Sequence, residues 1–364
     1  MHPPASHDLR FDHAPRRVYW EITRACALAC RHCRAEASTD AHPGELTTQD
    51  GLALLDRLAT FGEPKPHVIL TGGDPLERSD LFALIAHARA LGLDVSISPS
   101  ATPRLTPAVI HRLASAGVSA LSLSVDGSTA VRHDAVRGVP GCFERTLVAA
   151  RAARDASLMT QINTLVSTET VDDLPAIYAL ATSLLVARWS LFFLVSVGRA
   201  AVLRPIDAAR AERLLQWAAD LPSGDGHPVV TTTEAPHFRR IVLLRRRDRA
   251  ENAAPASRSG FGMRDGNGVM FVSHTGDVSP SGFLPMNVGN VRTRDPVDLY
   301  RHAPLFVSLR EASDFHGRCG ICSFRAICGG SRARAWGASG DPLGEDPLCA
   351  YEPPRASHRT ARPL

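Results

Sequence analysis

Seven of the eight cysteines in this 364-residue sequence fall into two groups, Cys26, Cys30 and Cys33 near the start and Cys319, Cys322, Cys328 and Cys349 near the end. Cys142 stands apart. Eight thiols are too few to cross-link a chain of this length, and in a reducing compartment clustered cysteines serve as metal ligands or redox groups. In the first group three and then two residues separate the thiols. Three thiolates so spaced can converge on one iron–sulfur cluster, whose usual complement is four cysteines. One iron is then left open, and an open position separates a catalytic metal from a structural one, because substrate needs room to bind. The alternative is a zinc site completed by His32 or another residue. The second group offers four thiolates in a glycine-rich segment too short for a large core, where a metal centre acts as a staple. A four-thiolate zinc site is the alternative there.

The elements that must hold these groups read as alternating β and α units. Apolar or alternating runs at 18–22, 67–71, 94–98, 120–125, 160–166 and 189–197 predict strands. Each is followed by a helical pattern, at 48–61, 79–91, 107–116, 143–156, 174–186 and 207–221. Gly62, Gly92 and Gly117 stand just past helix ends, and Pro107 marks a helix start. This alternation predicts an α/β fold with a parallel sheet, either doubly wound or part of a β/α barrel. The front cysteines then occupy the loop at the carboxyl end of the first strand, where such folds place their chemistry. Beyond 221 a turn-rich connector leads to a strand at 229–233 and an arginine-rich helix at 235–254. That charge run reads as a solvated face, with a site for phosphate or an acidic substrate as the alternative. Two extended pieces at 268–273 and 275–278 predict a hairpin inside a small second domain. The expected division is a flexible tail at 1–16, a core at 17–221, a connector at 222–259, a cysteine-rich domain at 260–351 and a flexible tail at 352–364.

The CxxxCxxC loop after the first strand resembles that of radical S-adenosylmethionine enzymes, and the resemblance spans roughly residues 17–220. It implies a partial (β/α)6 TIM-type barrel. It also implies a [4Fe-4S] cluster on Cys26, Cys30 and Cys33 whose open iron is chelated by S-adenosylmethionine. Reductive cleavage of that cofactor gives a 5'-deoxyadenosyl radical, which abstracts a substrate hydrogen. Gly72, Gly73, Asp74 and Pro75 end the second strand and resemble the turn that binds the methionyl amino group, with Asp74 where glutamate is frequent. Ser98, with Ser100, resembles the ribose-contacting segment. Ser124 and Arg137 resemble contacts of the cofactor carboxylate, and Asn163 another cofactor contact.

The rear cysteines resemble the twitch domain, a shortened SPASM domain with a single auxiliary [4Fe-4S] cluster. Arg332 stands where a full SPASM domain has a further cysteine, and the two hairpin positions for others read Gly262-Met263 and Ser281-Gly282. The segments 20–24, 328–334 and 345–352 resemble the branch that modifies tetrapyrrole side chains in haem and haem d1 biosynthesis. Peptide-modifying relatives share that architecture. The resemblance therefore implies a tetrapyrrole-like small molecule or a small precursor peptide as substrate, and a reductase such as flavodoxin or ferredoxin as electron donor.

Composition narrows the field further. With 41 basic against 37 acidic side chains and a net charge of +4, neither nucleic acid nor a membrane is an expected partner. No run approaches the ~20 apolar residues of a membrane span and no secretory signal is evident, so a cytoplasmic protein is expected. A non-catalytic iron–sulfur or zinc electron-transfer protein is the rival from another class. His133, His237, His274 and His316 are candidate haem ligands or acid/base groups, none singled out by its sequence context.

Overall fold

The computed structural model describes residues 10–249 and 260–354, the side chains of 247–249 excepted. Most of both expected tails, and the end of the helix expected at 235–254, lie outside the described residues.

Seven parallel strands pair in chain order: β1 (Arg17–Glu21), β2 (His67–Thr71), β3 (Val95–Ile97), β4 (Ala120–Ser124), β5 (Met159–Val166), β6 (Arg188–Phe193) and β7 (Val229–Thr233). Between them run α1 (Thr48–Ala59), α2 (Leu81–Ala90), α3 (Pro107–Ser115), α4 (Ala130–Arg137), α5 (Cys142–Asp155), α6 (Leu174–Ser183) and α7 (Ala208–Asp220), and α8 (Phe238–Arg249) follows β7. Helix starts are set locally. Thr47 and Asp50 form a capping box on α1, and Thr106 caps α3 ahead of Pro107. The sequence pattern misses α4, which is short and polar; Thr129 caps it and Gly138, at φ +73, ends it. The expected strand at 189–197 stops at Phe193, where the chain turns toward a 3-10 segment at Gly198–Val202.

Alternation along the strands separates two faces. Val18, Trp20, Val68, Leu70, Leu121, Leu123 and Ile162 are buried beneath the helices. Trp20 packs so closely that a Cβ on Gly51 of α1 would lie 2.8 Å from it and 2.9 Å from Leu84 of α2. The other face carries Tyr19, Glu21, Thr71, Ser122, Ser124, Gln161, Asn163 and Ser190, a polar lumen. Register brings Ser124, Asn163, Ser190 and Thr231 into one row across β4 to β7. A slip by one residue would turn the apolar set inward, so burial of the outer face fixes which polar groups meet in the lumen.

The rear segment continues this sheet. β8 (Arg264–Asp265) pairs with β9 (Gly268–Val272), and β9 lies parallel to β1 from Arg17↔Val269 to Trp20↔Val272. β10 (Asp277–Ser279) and β11 (Gly289–Asn290) follow antiparallel. The order is therefore β11-β10-β9-β1-β2-β3-β4-β5-β6-β7. Helices α9 (Pro296–His302), α10 (Pro304–Arg310), α11 (Gly317–Ile321) and α12 (Arg332–Ser339) complete the segment. Among the described residues no helix is long and apolar enough to cross a membrane.

Candidate active site and auxiliary metal centre

The loop after β1 gathers the front thiols in one cluster. Cys26 and Cys30 are buried with Leu28, Ala101 and Cys142, and Cys33 packs against them. Each sulfur accepts a hydrogen bond: Cys26 from Leu28 N at 3.4 Å, Cys30 from Arg137 Nη1 at 3.6 Å and Cys33 from Ala37 N at 3.5 Å. Ser100 Oγ lies 3.4 Å from Cys26 Sγ. Burial pushes the Cys26 and Cys30 thiols up. Donors aimed at sulfur suit thiolate, and buried thiols that resist ionisation become thiolates only with a cation at hand, which an iron cluster supplies. Cys142, at the start of α5, joins the cluster, and among the described residues its sulfur accepts no hydrogen bond. Its distant place in the chain gives no sign of this proximity.

The Thr71-Gly-Gly-Asp-Pro75 turn presses onto the same loop. Gly73 N donates to Thr23 O at 2.8 Å and Asp74 N to Ala25 O at 2.7 Å. A Cβ on Gly72 would lie 2.4 Å from Thr23 O, and one on Gly73 would lie 2.3 Å from Ala25 O. Glycine is needed here because two backbones touch. The Asp74 carboxylate is fully buried. It accepts from Leu76 N, Ser100 N and Thr102 Oγ1 at 3.1, 3.3 and 2.9 Å. Burial outweighs those bonds and pushes its pKa up to about 6. Pro75 opens the short 3-10 turn that follows.

Ser98 and Ser124 stand at or beyond the carboxyl ends of β3 and β4, and Asn163 lies within β5 in register with Ser124. Arg137, at the end of α4, lies between Cys30, His32 Nε2 at 3.2 Å and Asp126 Oδ2 at 3.5 Å. Burial opposes the guanidinium charge, yet Cys30 and Asp126 hold it more firmly than usual. Burial, then Arg137, pushes His32 down to about 4, so its ring is neutral. Asp126 Oδ2, Arg137 Nε and His32 Nδ1 are buried without hydrogen-bond partners, a set of polar atoms that suits a charged ligand.

Two further devices escaped the sequence reading. Arg199 clamps the cysteine loop through Cys30 O at 3.1 Å and Ala37 O at 3.2 Å. Arg34, next to Cys33, donates to Glu21 Oε2 at 2.7 Å, while His274 Nδ1 lies 2.7 Å from Glu21 Oε1. The Arg34 guanidinium stacks on Phe271 at 4.7 Å, and a Cβ on Gly282 would lie 3.0 Å from its Nε.

At the rear, Cys319, Cys322, Cys328 and Cys349 line one small cavity of about 30 Å³ with Arg240, Arg318 and Tyr351. Cys322 accepts from Phe324 N and Cys328 from Gly330 N, both at 3.4 Å. Cys319 accepts from Arg332 Nη2 at 3.6 Å, and Cys349 takes a backbone bond from Tyr351. Burial pushes Cys328 up to about 12 and Cys349 to about 11. Among the described residues no three His, Cys, Asp or Glu side chains are drawn into the spacing of a single metal ion. Arg332 is fully buried, with Gly344 O at 2.7 Å, and it and Arg264 both stack on Phe315, at 4.6 and 4.9 Å.

Cysteines gathered at the carboxyl end of the first strand of an open parallel β/α sheet, above a polar lumen, define an iron–sulfur enzyme. Residues 20–181 match the Radical SAM superfamily, and the chain belongs to that superfamily. The AdoMet-dependent heme synthase of Nitratidesulfovibrio vulgaris is 39% identical over 347 residues, 93% of each chain. The pre-heme d1 synthase of Dinoroseobacter shibae is 32% identical over 351 residues, 91% of this chain and 85% of that one. Among solved structures, Streptococcus suis SuiB bound to precursor peptide SuiA shares the fold. Its TM-score is 0.72 at 18% identity, covering 93% of this chain and 76% of that chain.

Proposed function

We propose that this radical SAM enzyme abstracts hydrogen from a carboxylate-bearing side chain of a tetrapyrrole. The observation that carries the reading is the similarity to a heme synthase along 93% of both chains. When bound, the cluster and S-adenosylmethionine supply a 5'-deoxyadenosyl radical. Cys26, Cys30 and Cys33 hold the cluster and leave one iron for the cofactor. Gly72, Gly73, Asp74 and Pro75 present backbone to its amino group, Ser98 meets the ribose, Ser124 and Arg137 meet its carboxylate end, and Asn163 is a further contact. Arg137 stays charged, held by Cys30 and Asp126, and the neutral His32 beside it adds no second positive charge. Cys319, Cys322, Cys328 and Cys349 hold a second [4Fe-4S] cluster with every iron ligated, suited to passing electrons rather than binding substrate. A flavodoxin- or ferredoxin-type reductase supplies the electron, and the cytoplasm is the compartment that keeps these thiols reduced.

The test is anaerobic reconstitution, reduction, and incubation with S-adenosylmethionine and a porphyrin deuterated along its propionate chains. Deuterium in the released 5'-deoxyadenosine supports the reading. Release stimulated only by a small precursor peptide would replace it with peptide maturation. Roughly eight irons per chain mark two cubane clusters, whereas about four with zinc would reassign the rear site.

A further inference from the structure

Among the described histidines, four have a ring nitrogen within 3.0 Å of a carboxylate oxygen: His67, His87, His274 and His302. His87 and His302 lie on helices α2 and α9, and His67 opens β2 at the end of the barrel remote from the cysteines. His274 is different. It sits in the β9–β10 turn, beside the carboxyl end of β1, and its partner Glu21 is the last residue of that strand.

Strand parity decides where this pair faces. Val18 and Trp20 point beneath the helices, so Tyr19 and Glu21 point into the lumen. Glu21 brings His274 and Arg34 to the same face, one residue from Cys33. Glu21 is 3% exposed, and burial works against its charge. Arg34 and the bonds from Arg34 and His274 outweigh burial and hold the carboxylate below its usual range. An ionised Glu21 accepts hydrogen bonds only, so Nδ1 of His274 carries the proton. In the tautomer with its single proton on Nδ1, the lone pair is on Nε2. That atom makes no hydrogen bond among the described residues and is not one of the fully buried, unpartnered atoms, so it is not closed off, in a side chain 11% exposed with the His42 ring edge-on at 5.1 Å.

A histidine that donates Nδ1–H to a carboxylate and keeps Nε2 free has the second-shell geometry of a metal ligand: the carboxylate fixes tautomer and orientation and makes Nε2 more basic. We propose that His274 Nε2 is an axial ligand to the iron of an iron-tetrapyrrole substrate. Glu21 orients the ring, and Arg34 keeps Glu21 ionised. This rests on the tetrapyrrole reading above and narrows it to the iron-loaded macrocycle. Ligation puts no electron in play, since the imidazole lone pair replaces a solvent ligand on the iron. It also anchors the macrocycle beside the loop that holds the front cluster, which brings its rim within reach of the cofactor site. Other histidines are less suited. His133 Nε2 and both nitrogens of His237 are buried, and His32 Nε2 is taken by Arg137.

The test uses the reconstituted holoenzyme with haemin and with metal-free protoporphyrin, read by absorption and EPR spectroscopy. Wild type is expected to bind both and to give haemin the spectrum of a nitrogen-ligated iron. His274→Ala should lose that spectrum and weaken haemin binding roughly 10–100-fold. Metal-free protoporphyrin should bind as before, and added imidazole should restore the ligated spectrum. Imidazole rescue separates a lost ligand from a disturbed hairpin. Glu21→Gln should keep the ligand but shift the spectrum. If His274→Ala leaves the haemin spectrum unchanged while both porphyrins still bind, the ligand assignment is wrong and the tetrapyrrole reading stands. If wild type binds neither porphyrin, that reading falls and the ligand with it.

Discussion

Replacing Asp74 by asparagine should make the protein more stable near neutral pH and should remove one source of its pH dependence. The carboxyl is fully buried, with its pKa raised from 3.8 to about 6, and among the described residues no cation pairs with it. The folded chain therefore holds the proton more tightly than the unfolded one. Stability contributed by the neutral form is present below about pH 4 and is lost as pH rises through about 6. Two pKa units correspond to about 3 kcal/mol, so at pH 7–8 the ionised side chain costs the fold on that order. Asparagine keeps an oxygen for Leu76 N and Ser100 N, and its amide donates to Thr102 Oγ1, whose hydroxyl turns from donor to acceptor. Anaerobic urea unfolding of the metal-loaded protein at pH 5, 6, 7 and 8 reads the difference. The midpoint advantage of Asp74→Asn should grow with pH to about 3 kcal/mol. A constant offset, or a less stable variant at pH 8, would refute the desolvation argument.

Gly73→Ala puts a Cβ 2.3 Å from Ala25 O and 2.6 Å from Arg24 O, both backbone atoms that cannot swing away; a loss of about 1–3 kcal/mol in unfolding free energy and a fall in front-cluster iron are expected. Cys142→Ala should leave iron and sulfide content and 5'-deoxyadenosine release unchanged, whereas Cys349→Ala should remove roughly four irons per chain by elemental analysis. Arg137→Lys gives up a guanidinium placed among Cys30, His32 and Asp126. It should raise the KM for S-adenosylmethionine by roughly 10–100-fold, the loss of a charge-assisted hydrogen bond, with the circular dichroism spectrum intact.

The parallel frame was legible because its signals are local. The run at 67–71 is apolar and bounded by turn residues, and the strand at 229–233 was read to its exact ends. The cysteine spacing marked the front loop for the same reason. What escaped depends on contacts between distant residues. Nothing in the sequence around Arg199 says that it holds Cys30 O, and Glu21 meets His274 across 253 positions. In the sequence the glycines of the Thr71–Pro75 turn stand out only through resemblance to a cofactor-binding turn. The structure adds the backbone of Thr23–Ala25 as the neighbour that requires them. The rear helices α9 to α12 went unread because they are short and set in a segment rich in glycine and proline, where amphipathic periodicity has no length in which to develop.

The β1–β9 ladder has a mechanical consequence. A cysteine-rich piece tied on by a linker could swing away to admit a bulky guest, but here main-chain bonds weld it to the strand that launches the front thiols. Both sulfur-bearing ends thus ride on one plate, and the spacing between them is set by backbone rather than by a hinge. The same piece also grips the far end of the row, where Ser331 and Arg334 both donate to Glu234 just past β7.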